Sequence, residues 1–411
     1  MTRLFTVLLI LSGLLSPSML SAQDSWQSLI NRLTYYSPEK YKSAVNNLKK
    51  KYPDSYRPDA GWEKAVSELE TNKETLISGL KAKDTKAEKQ ATKLLQQLDA
   101  ALLANPLLAD KQVVAIRRPL GDKARKAMSG ELGIAPSNFQ NNSEIGNPKG
   151  GWTNEFVSLN IIPGKIKQTT LYKPEPGMII TDPEPHFDGN KLMYSSIGSS
   201  DHWQLFELDL KTGKTRQLTP DTYKDFDSFD GCYTPDGRYI FCSTGTFLGL
   251  PCTNGGNKMC GLYLYDPQTK QTRQLTYDQD SNWDPVMLEN GMVLYQRWEY
   301  ADLPHSNSRV MFSMNPDGTS QSAFYGSNSY FPTSFFNARP IPGRPSAIVG
   351  VATGHHSVSR SGRLLVIDTR KGRHEADGVV AEIPYAGRKV EPLVRDRLPD
   401  GVWPQFLQPY P

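Results

Sequence analysis

The sequence predicts a mainly β protein in which a β-propeller follows a small α-helical domain. Three observations support this fold class: a turn-and-strand phrase recurs in the later part, helical periodicity is confined to the earlier part, and the two parts differ in charge. Residues 23–130 carry 20 Lys and Arg against 13 Asp and Glu, a net +7, whereas residues 131–411 carry 26 against 30, a net −4. This difference and the chain length predict two domains.

Residues 1–22 have the pattern of a secretory signal peptide. Arg3 gives a positively charged N-terminal region, and residues 4–15 form an apolar run that is too short to span a bilayer comfortably. Ala22 is a small residue at the expected cleavage site. An uncleaved membrane anchor is the alternative. After cleavage no segment approaches a membrane span, so we expect a protein of the periplasm or the exterior.

Residues 23–110 predict a helical bundle. Ser37-Pro38-Glu39 provides an N-cap followed by proline at the first helical position, and helical periodicity recurs at residues 62–80 and 94–102 before Pro106 ends it. The basic side chains could contact an anionic surface, although a solvated helical face is favoured. Because no basic patch is interleaved with aromatic residues, we expect no nucleic-acid partner.

Residues 111–150 are predicted to join the two domains. Residues 112–116 form an apolar stretch that predicts a strand, and the following residues are polar and typical of a loop. Residues 151–411 are then predicted to form the propeller.

A repeat decides the fold of this later part. Turn glycines at Gly189, Gly237 and Gly291 lie 48 and then 54 residues apart, and each precedes a strand. Two units share the phrase Arg-Gln-Leu-Thr, and about five units are recognisable, of which the last is weak. A period near fifty with several short strands is typical of propeller blades. A β-sandwich, the alternative, does not repeat whole multi-strand phrases.

The Pro-Asp-Gly strand unit that ends in Arg-Gln-Leu-Thr resembles the blade repeat of TolB-type six-bladed propellers. Longer phrases at residues 148–152, 338–343, 354–356 and 372–378 are similar to the propeller of hydrazine synthase alpha subunits and their relatives. The resemblance covers roughly residues 105–411 and implies a TolB-like six-bladed propeller. Because relatives continue into another blade, we expect this one to be incomplete at its C-terminus, as in a fragment of a longer protein.

Hydrazine synthase chemistry takes place at c-type haems attached through Cys-x-x-Cys-His. The sequence has no such motif, so we expect no c-type haem and no hydrazine synthesis. A shared scaffold does not by itself transfer an activity.

The resemblance implies zinc as a cofactor. Candidate ligands are Cys252, His305, His355, His356 and His374. Zinc requires three or four nitrogen or sulfur ligands that converge on one point. The alternative is that these histidines bond loop backbone, and this alternative is favoured.

The same phrases predict a binding site at the mouth of the propeller channel. The site would combine His305 and His355 with Arg297 and Glu299, and Trp283 would add an aromatic surface. Core packing is nevertheless the favoured role for each aromatic residue near the blade ends.

All four cysteines lie within residues 232–260. Cys252 and Cys260 flank a Gly- and Asn-containing loop, which makes them a candidate disulfide in an oxidising compartment. Cys232 and Cys242 flank a Pro-Asp-Gly turn. A two-residue loop would place Cys232 opposite Phe241, and a three-residue loop would place it opposite Cys242.

Several carboxylates lie near the predicted blade ends, where aspartate commonly caps turns. We expect structural roles, with a catalytic pair for sugar cleavage as the alternative. These residues are Asp182, Glu184, Asp225, Asp227, Asp230 and Asp284. A serine hydrolase is not expected, because the sequence has no Gly-x-Ser-x-Gly motif.

These observations predict an exported propeller that acts as a scaffold and binds a protein or a small ligand, such as a glycan, at its axial face. The alternative is a metal-dependent or glycan-active enzyme whose site lies at the channel mouth.

Overall fold

A computed structural model describes most of the chain. The described residues are 22–109, 111–118, 152–162, 165–220, 225–250, 255, 258–299, 309–332, 334–353, 362–384 and 405–411. The predicted signal peptide therefore lies outside the described residues, except for Ala22. Within the described residues, no helix is both long and apolar enough to cross a membrane.

Residues up to 115 together with 156–171 form one compact unit, which contains four helices. The second helix begins as predicted, because Ser37 caps it by accepting a hydrogen bond from the Lys40 N–H at 3.3 Å. Apolar faces of all four helices meet in one core. The helices are α1 (Ala22–Tyr35), α2 (Pro38–Lys51), α3 (Gly61–Lys81) and α4 (Thr85–Leu103).

A three-stranded sheet follows the helices, in the order β1-β2-β3. Its first strand confirms the strand predicted at residues 112–116. The strands are β1 (Lys111–Arg117), β2 (Glu155–Ile162) and β3 (Lys165–Tyr172).

The second unit, residues 116–155 and 172–411, contains four blades of four antiparallel strands. Blade I consists of β4 (Thr181–Pro185), β5 (Lys191–Ile197), β6 (Trp203–Asp209) and β7 (Thr215–Gln217). Blade II consists of β8 (Ser228–Tyr233), β9 (Tyr239–Ser243), β10 (Gly261–Asp266) and β11 (Gln271–Gln274). Blade III consists of β12 (Asn282–Met287), β13 (Val293–Trp298), β14 (Arg309–Met314) and β15 (Ser322–Tyr325). Blade IV consists of β16 (Ser334–Ile341), β17 (Arg344–Thr353), β18 (Arg363–Asp368) and β19 (Val379–Ile383).

The first strand of each blade, β4, β8, β12 or β16, is its inner strand. We call the end of the blades at which the inner strands begin the upper end, and the opposite end the lower end. The repeated turns lie at the lower end, where Gly189, Gly237 and Gly291 have φ between +68° and +85°. Glycine adopts this left-handed backbone without a steric penalty, which explains why the repeat keeps glycine there.

Apolar residues between neighbouring blades form the core. One face of blade II contributes Tyr233, Tyr239 and Phe241 to a cluster with blade I. The other face contributes Ile240 and Leu262 to a larger cluster with blade III. Alternation along a strand sends successive side chains to opposite faces, so each blade can pack against two neighbours.

Two expectations are corrected by this fold. The described strands form a propeller of five blades rather than the six that the resemblance implied. The five are the four four-stranded blades and the three-stranded sheet, and a parallel bridge between Arg309 and Ser334 joins blades III and IV into one eight-stranded sheet. Only the family comparison suggested a sixth, and the recognisable repeats had numbered about five.

The hairpin of blade II also differs from both expected alternatives. Its turn spans 235–237, so that Tyr233 pairs with Tyr239 and Cys232 pairs with Ile240. A bulge then places Cys242 opposite Phe229. Cys232 therefore faces neither Phe241 nor Cys242.

Candidate functional site

The inner strand of every blade carries an Asp or Asn in the left-handed backbone region. The φ angle is +51° at Asp182, +47° at Asp230, +51° at Asp284 and +50° at Asn337. The pairing register between inner and second strands shifts at each of these positions. Bulges of this kind redirect a side chain, and Asp and Asn tolerate the left-handed region better than other non-glycine residues. We call these four residues the axial ring.

Hydrogen bonds connect the bulges from blade to blade. The Asp230 N–H donates to Ser195 Oγ of blade I at 2.9 Å. The Asp284 N–H donates to Asp230 Oδ2 at 2.9 Å, and the Asn337 N–H donates to Asp284 Oδ2 at 2.9 Å. Equivalent positions of the inner strands of blades II, III and IV are therefore in direct contact, and blade I joins them through Ser195 on its second strand.

An ion pair lies beside the axial ring. Glu184 on β4 accepts a hydrogen bond from the guanidinium of Arg339 on β16, and both side chains are largely buried. Burial raises the pKa of Glu184, and the charge of Arg339 opposes that rise. The pair joins the inner strands of blades I and IV.

Asp230 is a strongly perturbed carboxyl of the ring. Burial raises its pKa well above the usual range, and the negative charges of Asp284 and Asp182 raise it further. Hydrogen bonding from the Asp284 N–H and the charge of Arg339 act in the opposite direction without cancelling the rise. Asp230 therefore retains a proton at pH values where an exposed aspartate is ionised.

The axial ring and the adjacent ion pair together carry more acidic than basic side chains. Asp182, Asp230, Asp284 and Glu184 supply four carboxyl groups, and Arg339 supplies one guanidinium. Asp182 and Asp230 keep partial contact with solvent, so the set is not sealed in the core. In a poorly hydrated environment such an excess of carboxyls favours a proton or another cation.

Two of the predicted mouth residues lie together at the upper end of blade III. The Arg297 guanidinium contacts Asp278 at 3.1 Å and Glu299 at 3.9 Å. It also lies over the ring of Phe312, 4.7 Å from the centroid. Arg297 and Glu299 are thus neighbours as expected, within a cluster that Asp278 completes.

Trp283, the third predicted mouth residue, is fully buried. Its indole stacks on Trp298 with centroids 6.0 Å apart and lies 6.5 Å from the Phe336 centroid. Core packing, the favoured role for these aromatic residues, is confirmed for both tryptophans and for Trp203.

The candidate zinc ligands Cys252, His305, His355 and His356 lie outside the described residues. His374 is described, and its Nε2 lies 3.1 Å from the backbone oxygen of Asn328, the loop-backbone role that was favoured. No group of three or more His, Cys, Asp or Glu side chains within the described part of the chain has an arrangement suited to a metal. Cys260, the described member of the candidate disulfide, is buried.

The carboxylates named from the sequence divide into two groups. Asp227 has the expected structural role, because it accepts a hydrogen bond from the Trp203 N–H at 3.0 Å. Asp182, Asp230 and Asp284 instead belong to the axial ring, which sequence reasoning did not assemble. A signal was present, since each of these three residues stands seven positions before a turn glycine.

Sequence comparisons find no relatives. No protein-family model matches this chain, and no curated protein matches it.

Solved structures do match. TolB from Acinetobacter baumannii matches at 15% identity and a TM-score of 0.36, over 53% of this chain and 46% of that one. Putative TolB from Agrobacterium tumefaciens matches at 15% identity and a TM-score of 0.41, over 56% of this chain and 76% of that one. Kuenenia stuttgartiensis hydrazine synthase matches at 15% identity and a TM-score of 0.46, over 64% of this chain and 38% of that one. The chain therefore spans less than half of the first and third. At this identity the likeness concerns the fold alone.

Proposed function

We propose that this chain is an exported binding propeller that holds a cationic group of a partner protein against its axial ring. The observation that carries the proposal is that, among the described residues, the four carboxyl groups of Asp182, Glu184, Asp230 and Asp284 lie around the one guanidinium of Arg339. The cationic group would be the ammonium of a lysine or the guanidinium of an arginine in the partner.

The electrostatics of the ring support this ligand class. Asp230 keeps a proton because burial and the charges of Asp284 and Asp182 disfavour its ionised form. A cation placed among these carboxyls would favour their ionised forms, and the proton of Asp230 would then leave. Partial burial strengthens such an interaction, since solvent and salt screen it less than a surface pair.

Exposed apolar side chains at the upper end support a protein partner. Phe247 and Leu248 lie in the loop between β9 and β10, Tyr277 precedes β12, and Tyr330 precedes β16. Their exposed fractions are 65%, 51%, 77% and 37%, respectively. Aromatic residues are enriched in protein interfaces, where they supply buried contact area around a polar anchor.

The proposal also includes export of the protein and a family relationship to known propellers. The signal-peptide pattern at residues 1–22 supports delivery to the periplasm or the exterior. The phrases shared with hydrazine synthase alpha subunits support descent from such propellers, and the absence of Cys-x-x-Cys-His supports a relative without haem.

A titration with matched peptides tests the proposal. One peptide carries a single central lysine, and the control peptide carries norleucine, which has a similar apolar stem without the charge. We expect calorimetry to show binding of the lysine peptide at least about tenfold tighter, equivalent to about 1.4 kcal/mol. Asp182→Asn should remove this preference, whereas Asp188→Asn, at a lower turn, should retain it. Equal binding of both peptides would refute the proposal.

A glycan-active enzyme is the second candidate, and one observation favours it. Asp230 has a raised pKa and lies beside Asp284, and pairs of carboxyls with separated pKa values serve as acid and base in glycoside cleavage. Release of reducing ends from a polysaccharide panel, lost in Asp230→Asn, would support this function over the binding role. No release from any member of the panel would count against it.

A metal-dependent enzyme is the other form of this alternative. Zinc would be held by Cys252, His305, His355 and His356, whose residue types suit the metal. Elemental analysis of protein purified without chelator, with Cys252→Ala and His355→Ala as variants, tests it. About one zinc per chain that either variant loses would support the enzyme, and no bound metal would exclude the zinc site.

A further inference from the structure

Two thiols converge on one backbone oxygen at the boundary between blades II and III. The Sγ of Cys260 lies 3.3 Å from the carbonyl oxygen of Asn282, and the Sγ of Cys242 lies 3.6 Å from the same atom. Both cysteines are fully buried. Because both sulfurs contact a single oxygen atom, they are close neighbours.

The strand register explains this arrangement. Cys242 on β9 pairs with Leu262 on β10, and Cys260 stands two residues before Leu262. Positions two residues apart on an extended chain share a face, so the two thiols project toward the same side of blade II. They are diagonal neighbours across the strand pair, and such side chains are within reach of each other.

The backbone around Cys260 is held in place by blade III. Its N–H donates to Ser281 Oγ at 3.2 Å, and its carbonyl oxygen accepts from the Asn282 N–H at 2.9 Å. Cys232 lies in the same apolar cluster, but it is on β8 and pairs with Ile240, whereas the sulfurs of Cys242 and Cys260 contact one and the same oxygen atom. Among the described cysteines, Cys242 is therefore the partner that the fold presents to Cys260.

We infer that Cys242 and Cys260 form a disulfide when the chain folds in an oxidising medium. The oxidant is a disulfide, such as glutathione disulfide. One cysteine loses its proton and attacks a sulfur of the oxidant, which releases one thiolate and leaves a mixed disulfide. The second cysteine loses its proton and attacks the cysteine sulfur of the mixed disulfide, which releases the second thiolate. Two electrons pass to the oxidant, and the two protons pass to the two thiolates, which leave as thiols.

The cross-link would form before blades II and III close on each other. In the folded reduced protein both sulfurs are inaccessible, and burial raises the pKa of Cys242, so the reactive thiolate is scarce. The bond would close the loop of residues 244–260, which carries the exposed Phe247 and Leu248. It would thereby restrict the part of the upper end that those residues occupy.

Disulfide mapping tests this inference independently of any ligand. The full chain is folded with a glutathione redox couple, free thiols are blocked with N-ethylmaleimide in denaturant, and the unreduced digest is examined by mass spectrometry. We expect a linked pair of peptides that contain Cys242 and Cys260, with Cys232 alkylated. Cys252→Ser, the matched control, should retain the link.

The melting temperature provides a second readout. Reduction should lower it by on the order of 5–10 °C in the wild type and in Cys252→Ser. The same reduction should have no effect in the double variant Cys242→Ser/Cys252→Ser. A Cys252–Cys260 link in the wild type would overturn the inference, and so would complete alkylation of all four cysteines.

Discussion

Asp230 and Asp236 lie six residues apart in the same hairpin of blade II, yet their surroundings drive their ionisation in opposite directions. Asp236 is in an exposed turn at the lower end, where hydrogen bonding from Arg238 lowers its pKa to about 2. Asp230 is in a bulge at the upper end, where burial and neighbouring acids raise its pKa. A single residue type thus stabilises a turn at one end and, in our proposal, forms a cation-binding site at the other.

The two ends of the blades differ in the same way as the two aspartates. At the lower end Asp188 and Asp209 each accept backbone N–H bonds that lower the pKa of the carboxyl, and at Asp317 the hydroxyl and then the backbone N–H of Thr319 lower the pKa in the same way. At the upper end the carboxyls of Asp230 and Asp284 accept hydrogen bonds from the next blade, and among the described residues of the set Arg339 is the basic group. In our proposal the lower end serves stability and the upper end serves recognition.

Loss of the buried cation should have the largest effect on this contrast. Arg339→Met leaves Glu184 without its partner, and breaking such a buried pair costs about 3–5 kcal/mol of unfolding free energy. Urea unfolding would measure the loss. The double variant Glu184→Gln/Arg339→Met removes both charges and should recover part of it. A double variant less stable than Arg339→Met would contradict the role assigned to the pair.

Loss of the ring acceptor in blade III should have the next largest effect. Asp284→Ala leaves the Asn337 N–H without its acceptor and places alanine at a φ of +51°, so we expect a loss of about 2–4 kcal/mol. Asp284→Asn keeps an acceptor oxygen and a residue suited to this backbone, and should lose less. Equal losses in the two variants would show that the interblade bond has no such role.

The proton on Asp230 should be visible in the pH dependence of stability. Because the folded-state pKa of Asp230 is raised, its contribution is fully present below the unfolded-state pKa, about 4, and is lost as pH rises toward the folded value. Asp230→Asn has no carboxyl to ionise, so its unfolding free energy does not fall in this way as pH rises. The variant should therefore gain stability relative to the wild type as pH rises above about 4, as measured by urea unfolding. A constant difference across that range would contradict the assignment.

The lower-turn aspartate should have the smallest effect. Asp236→Ala removes an exposed ion pair with Arg238, which contributes about 0–1 kcal/mol. The depressed pKa means that the wild-type contribution is present above about pH 4 and is lost as pH falls toward 2. The free energies of unfolding of the variant and the wild type should thus become equal at acidic pH. An effect as large as that of Asp284→Ala would remove the distinction between the two ends.

The sequence was informative where structure is determined locally. The cap at Ser37, the strand at residues 112–116 and the turns at Gly189, Gly237 and Gly291 depend on neighbouring residues, and all were predicted correctly. Cys232 was misplaced because its position depends on the extent of the turn at residues 235–237.

The axial ring could not be assembled in the same way. A bulge is a property of two paired strands, and the ring is a property of four blades, so no single segment reveals it. The aspartates seven positions before the turn glycines were visible, but their shared left-handed backbone and their bonds from blade to blade were not. The number of blades was likewise misjudged, because six came from the family resemblance and not from the repeats, which had indicated about five.

The most direct test of the central claim is the proton released when a cation binds. Calorimetry of the lysine peptide at a series of pH values above about 4, repeated in buffers with different ionisation enthalpies, counts the protons exchanged on binding. Our account predicts net release of protons on binding in the wild type, because the bound ammonium favours ionised Asp230, and none in Asp230→Asn. Binding without proton release in the wild type would contradict the account.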